Sequence, residues 1–367
     1  MKKILIFTAA FDAENGQAVV TRRVVTRVLP ETAAITACIY TPGGHPRSIL
    51  SWIAASGRFF YHLLFSDIEA IYLVCSRTMP GFARDIPALL AVLLGKRVIV
   101  HCHGSDFLKM MTGAPHSALA RFFYRRCEVI FPCQYLDSRS RQVVKQAHVC
   151  ENFCGEFTAY SAGPDDQSPA LTVLWNSNIM ATKGFFDVTE AVYSLAHSGR
   201  RIRLICFGKV LGDEEMSAAE VQKGLVKCKD QPWFSYLGLV AHSKAIAMLQ
   251  NCDVVALPSR YRPEMQPLAI IEAMCAGKSI ILSDTPSLRV TAGDYPADFV
   301  RADGTTTVAD FLENLCQQKE ANPEQFETRN RLDAERARIR FSVARFDADI
   351  RNILGVASKH GVGKVVN

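Results

Sequence analysis

The residues best suited to do chemistry lie between Pro258 and Gly277, where Pro258-Ser259-Arg260-Tyr261-Arg262-Pro263-Glu264 is followed by Met265-Gln266-Pro267-Leu268 and, eight residues beyond Glu264, by Glu272. A carboxylate accepts two hydrogen bonds from neighbouring hydroxyls, so a glutamate can grip a ribose or a hexose. The window opens a helix. Pro267 suits a first helical turn, where its missing N–H costs nothing, and Gly277 suits a C-terminal cap. Glu264 then stands before the positive end of that helix, whose open N–H groups suit a phosphate. An amphipathic helix with a solvated Glu272 fits the same spacing. However, Glu272 has apolar neighbours on both sides, and a charge so placed needs a partner.

Other candidates are spread along the chain. Asn15-Gly16-Gln17 follows an apolar run, and glycine there lets the backbone approach a ligand closely. His101-Cys102-His103 ends another such run. These histidines read either as strand-end polar residues or as ligand contacts, and no carboxylate joins them to make a metal site. Cys150 and Cys154 are closely spaced, but no second pair completes a zinc site. Asn176 to Gly184 is a polar loop carrying Asn178 and Lys183.

These residues need elements to hold them. Residues 3–8, 34–40, 70–75, 97–101 and 128–132 read as buried strands, with helical patterns at 18–29, 48–64 and 86–94 between them. Residues 160–169 read as a linker. The alternation resumes with strands at 171–176, 202–207, 233–237, 253–257 and 279–283 and helices at 185–198, 243–250 and 268–275. Alternation of this kind implies parallel, doubly wound sheets. The expectation is an α/β chain of two Rossmann-like domains, 1–160 and 170–367, with a cleft between facing sheets. A charged helical segment, 327–354, closes the second domain, with Phe341, Val343, Phe346, Ile350 and Ile353 as its apolar positions.

The chain has 367 residues, which favours two domains over one core. No apolar run reaches the roughly 20 residues of a membrane span. The start, Met1-Lys2-Lys3 before a short apolar run, reads as a first strand and not as a secretory signal. Many of the twelve cysteines sit in apolar runs, which favours free thiols and a cytoplasmic chain. The net charge is +6, and through residue 160 Lys plus Arg outnumber Asp plus Glu by 18 to 11. That imbalance favours an anionic partner for the first domain: a phospholipid surface or a lipid-linked phosphate. Arg58-Phe59-Phe60-Tyr61 and Arg121-Phe122-Phe123-Tyr124-Arg125-Arg126 interleave cations with aromatics as a bilayer-facing surface does, although the aromatics also fit a core. No nucleic-acid motif accompanies them.

The window from Pro258-Ser259 through Glu264, Glu272-Ala273-Met274 and Gly277 resembles the signature of glycosyltransferase family 4, retaining enzymes of the GT-B fold. The Gly16 loop, the His103 segment, the Asn176 to Gly184 loop and the Phe341 to Phe346 ending resemble family segments in the same order. The resemblance implies transfer of a sugar from a nucleotide-sugar donor to a saccharide or lipid-linked saccharide acceptor, without a metal. The pathway it implies is bacterial-type polysaccharide or lipopolysaccharide synthesis at the inner membrane face. It also assigns roles. Glu272 would bind the donor ribose, Glu264 the sugar or leaving phosphate, Lys183 the diphosphate, and His103 the sugar's reacting face. Gly16, Asn178, Gln266 and Leu268 would line the donor. The sequence departs from the family at Asn178, where an arginine is usual, with Lys209 as a substitute cation. It departs again at Met265-Gln266-Pro267, where an aromatic-glycine pair is usual. A nucleotide-sugar epimerase of the same fold is the rival enzyme, and it would act without an acceptor. A transferase-like binding protein with a decayed site is the rival outside enzymes.

Overall fold

A computed structural model describes residues 2–11, 16–43, 45–75, 79–106, 111, 117–155 and 171–356. The linker expected at 160–169 and Asn15 lie outside these. The chain divides into two units, Met1–Phe153 with Val343–Asn367, and Cys154–Ser342.

In the first unit the apolar runs become β1 (Lys3–Ala9), β2 (Ala34–Tyr40), β3 (Ala70–Val74), β4 (Arg97–His101), β5 (Glu128–Phe131) and β6 (Gln146–Val149). They form one parallel sheet in the order β2-β1-β3-β4-β5-β6. The inner strands are apolar on both faces because helices cover both, as parallel sheets require. Those helices are α1 (Gly16–Arg23), which runs into a π-helical turn at Val24–Val28, α2 (Pro46–Phe65), α3 (Met79–Phe82), α4 (Ile86–Leu93), α5 (Ser117–Tyr124) and α6 (Gln134–Ser140). Pro46 at the first turn and the His45 ring, which accepts from Arg47 N at 3.4 Å, start α2.

The second unit repeats the plan with β7 (Leu171–Asn176), α7 (Phe185–His197), β8 (Ile202–Phe207), α8 (Ala218–Cys228), β9 (Phe234–Tyr236), α9 (His242–Gln250) and β10 (Val254–Leu257). It continues through α10 (Leu268–Cys275), β11 (Ser279–Ser283), α11 (Pro286–Ala292), β12 (Ala297–Val300), α12 (Val308–Ala321), α13 (Pro323–Thr328) and α14 (Arg331–Arg340). The order β12-β11-β10-β7-β8-β9 is that of a nucleotide-binding doubly wound sheet. The edge strands β6 and β12 escape sequence reading because they are short and only partly buried.

The final segment corrects an expectation. Its last helix, α15 (Val343–Leu354), belongs to the first unit and not to the second. Phe341 closes the core of the second unit, while Phe346, Ile350 and Leu354 enter that of the first. Arg97 fixes α15 by donating to the carbonyls of Ile353 and Leu354 at 2.6 and 3.1 Å, where a helix C-terminus favours a cation. Glu128 grips the same guanidinium at 2.7 and 2.8 Å.

The interleaved aromatics, which fit a bilayer surface or a core, are divided between surface and core. Phe59, Phe123 and Tyr124 are fully buried, so neither Arg-aromatic run presents all its rings to solvent. All twelve cysteines are free thiols, eleven of them buried. Cys150 joins the core of the first unit and Cys154 that of the second.

Candidate functional site

In the second unit the strand order reverses between β7 and β10, and ligands of such sheets bind beyond the strand ends at that reversal. The loops leaving these two strands carry Asn178, Lys183, Glu264 and Gln266. Lys183 joins them. Its ammonium lies 3.0 Å from Ser177 Oγ, 2.9 Å from Glu264 Oε2 and 5.8 Å from the centre of the Tyr261 ring. The contact with Glu264 is an ion pair without hydrogen-bond alignment, and Oε2 is buried with no hydrogen bond among the described residues. Cation and carboxylate are each only partly exposed, which strengthens their mutual attraction.

The backbone holds these loops in contact. Arg260 N donates to Thr182 O at 2.7 Å, and Asp213 Oδ2 accepts from both the backbone and the hydroxyl of Thr182 at 2.8 Å. Ser287 and Thr291 of α11 donate to the carbonyls of Glu264 and Met265, each at 3.2 Å. Gly184, at φ +83°, packs so closely that an added Cβ would lie 2.4 Å from Pro258 O. Gly208, after β8, lies against the Ser177 carbonyl in the same way. Ile179 N donates to Lys209 O at 2.9 Å, so the backbone bearing Lys209 runs beside Asn178.

Pro267 is the cap residue of α10, whose N-terminus has no side-chain cap and keeps open N–H groups. Leu268 begins the helix and is partly exposed, while Gln266 is buried just before it. Glu272 lies one turn further along. Burial pushes its carboxyl up to about 7, and it has no hydrogen-bond or ion-pair partner among the described residues. An acceptor so placed suits hydroxyl donors from outside the chain.

In the first unit the order reverses between β1 and β3. Gly16 opens α1 in the connection that leaves β1. His101 is buried at the end of β4, with Nδ1 2.8 Å from Tyr72 Oη, and burial holds its ring well below the ordinary histidine range. The His103 ring lies tilted at 32° to that of His101, with centroids 4.4 Å apart, and is partly exposed. Among the described residues no group of three His, Cys, Asp or Glu side chains gathers as metal ligands do.

Sequence reading singled out Lys183, Glu264 and Glu272. It missed Ser177 and Tyr261, which flank the lysine, and Arg260, which bridges Asp187 and Glu215. Gly208 after β8 was a usable signal for a close approach. The arginine bridge spans distant segments and left none.

Residues 167–333 match the family model of glycosyl transferases group 1. No curated protein matches the chain. Among solved structures it resembles sucrose-phosphate synthase from Thermosynechococcus elongatus, at 16% identity and a TM-score of 0.72 over 97% of this chain and 98% of that one. It resembles HepE of Anabaena in complex with UDP-glucose at 18% identity and 0.70, over 97% and 100%. A glycosyltransferase from Rickettsia africae follows at 13% and 0.68, over 96% and 97%. The chain thus has the GT-B fold, and its second unit carries a glycosyltransferase domain.

Proposed function

We propose that this chain is a retaining glycosyltransferase of family 4 type. It moves a sugar from a uridine-diphosphate donor to a saccharide or lipid-linked saccharide of a cell-surface polysaccharide or lipopolysaccharide. The observation that carries the reading is the Lys183–Glu264 pair, which joins the loops after β7 and β10 where the strand order reverses. Glu272 accepts the ribose hydroxyls, and its lack of a partner among the described residues supports that role. The open N-terminus of α10 and Lys183 take the diphosphate and stabilise its charge as it leaves. Lys209 supplies the cation that Asn178 lacks. Glu264 holds Lys183 until the donor arrives and then contacts the sugar. Gln266 and Leu268 line the donor, Gly16 takes the donor's phosphate or sugar against its backbone, and His103 orients the sugar's reacting face. The uridine base is supported by the HepE complex with UDP-glucose.

The test combines thermal unfolding with product analysis. UDP at about a hundredfold its dissociation constant stabilises the native chain by about 2.7 kcal/mol, and Glu272→Ala loses that gain. Lys183→Ala lowers transfer and donor hydrolysis roughly a hundredfold while remaining folded. Native rates in both variants would overturn the site assignment. UDP binding without transfer or hydrolysis would identify a binding protein instead.

A further inference from the structure

Helix α2 is built against the usual pattern, because its outward face is apolar. Leu50, Ile53, Tyr61, Leu64 and Phe65 recur at helical spacing, with Leu50 66% and Phe65 75% exposed. Ala54 and Gly57 fall on the same meridian and are also exposed, so the face has no polar centre. The inward face carries Ala55, Phe59 and Leu63, which are buried. Helix α4 packs beside α2 and adds exposed Ile86, Leu93 and Leu94. Scattered exposed leucines need no explanation, but exposed apolar rows on two adjacent helices do.

The charges within these two helices are of one sign, and the exposed acids Asp67 and Glu69 lie beyond the end of α2. Neither α2 nor α4 contains an aspartate or glutamate. Arg47 and Arg58 lie exposed along one flank of α2, and neither side chain pairs with a carboxylate among the described residues. At its N-terminal end the helix walls a mainly apolar cavity of about 220 Å³, formed with Tyr40, Ile49, Trp52 and Arg84.

We infer that the outward faces of α2 and α4 dock this chain on an anionic lipid surface, with the apolar side chains in the headgroup boundary and Arg47 and Arg58 on lipid phosphates. An apolar face flanked by arginines and free of acids is complementary to such a surface. A second copy is a poorer occupant, since a two-fold contact sets the same patch against itself and neither helix offers these arginines an acid. The inference deepens the reading of a lipid-linked acceptor and rests on it for its purpose. Of the two interleaved runs, it keeps Arg58 and Tyr61 on the membrane-facing surface and leaves out the Arg121–Arg126 run.

The test uses the full chain and vesicles of phosphatidylcholine with or without phosphatidylglycerol. The native chain floats with the anionic vesicles and is released by salt. The triple variant Leu50→Ser, Tyr61→Ser, Phe65→Ser and the double variant Arg47→Glu, Arg58→Glu each bind roughly tenfold more weakly or worse. Both keep the thermal stabilisation by UDP, because every replaced side chain is exposed. The inference is overturned if the native chain ignores anionic vesicles or if the variants bind as it does. It is also overturned if the native chain elutes as a dimer that the triple variant separates. The two readings fail separately: UDP stabilisation that survives Glu272→Ala overturns the donor site and leaves docking standing, whereas a native chain that UDP stabilises but that ignores anionic vesicles overturns docking and leaves the donor site standing.

Discussion

Glu272 is a residue whose cost to the free protein can be read directly. Burial raises its carboxyl from the ordinary 4.5 to about 7, so the folded chain holds that proton more tightly than the unfolded chain does. Folded stability is therefore favoured at low pH, falls as pH rises from about 4.5 to 7, and levels off above 7. Glu272→Gln keeps the shape and does not ionise. Relative to this variant, the native chain should lose about 1–3 kcal/mol across that window, read as a falling melting temperature. Parallel curves for the two proteins would mean that the carboxyl is not held near neutrality. UDP supplies a second reading of the same group. In the proposed site ribose hydroxyls would donate to the ionised carboxylate, so the affinity advantage of the native chain over the Glu272→Gln variant should grow through the same window. The comparison cancels the titration of the phosphates, which both proteins meet equally. Residue type and spacing made Glu272 visible in the sequence, because a charge between apolar neighbours is conspicuous. The contact between Lys183 and Glu264 was not visible, since it depends on two loops brought together by the strand order.

At the scale of the element, Gly184 is where the loop after β7 meets the strand-end loop of β10. Its φ of +83° disfavours any side chain, and a Cβ there would lie 2.4 Å from Pro258 O. Gly199, at the end of α7, has a similar φ of +90° but open space around it. Gly199→Ala isolates the backbone penalty, about 1–2 kcal/mol. Gly184→Ala adds a backbone collision that only a shift of the loop relieves, for a total of about 2–4 kcal/mol. Urea unfolding measures both, and activity separates them further, because the shift at Gly184 displaces Lys183. Equal losses would show that the loop yields freely and that Pro258 does not fix it. The helix that follows was legible because Pro267 and Gly277 bound it. The loop before it was not, since its anchors, Ser287, Thr291 and Thr182, lie on other elements and carry no local signal.

At the scale of the molecule, both sheets were legible as alternations of apolar runs, but the assignment of the last helix was not. Phe341, Phe346 and Ile350 sit in one charged, helical stretch, and nothing local marks Ser342 as the place where the chain leaves one core for the other. The cores decide it: Cys154 N donates to Phe341 O at 2.8 Å in the second unit, while Arg23 pairs with Asp347 through bonds of 2.6 and 2.7 Å in the first. Phe346 packs 4.7 Å from the Phe153 ring within that first core and is fully buried. Phe346→Ala should therefore cost about 3–5 kcal/mol, the loss of a large buried ring together with the cavity it leaves. The place of the loss discriminates more sharply than its size. In hydrogen exchange, amides of β1 and β3 should lose protection while those of β7 and β10 keep theirs, although in sequence the whole second unit stands between those first strands and Phe346. Loss of protection in β7 and β10 instead would return α15 to the second unit, and with it the simple division of the chain at the linker.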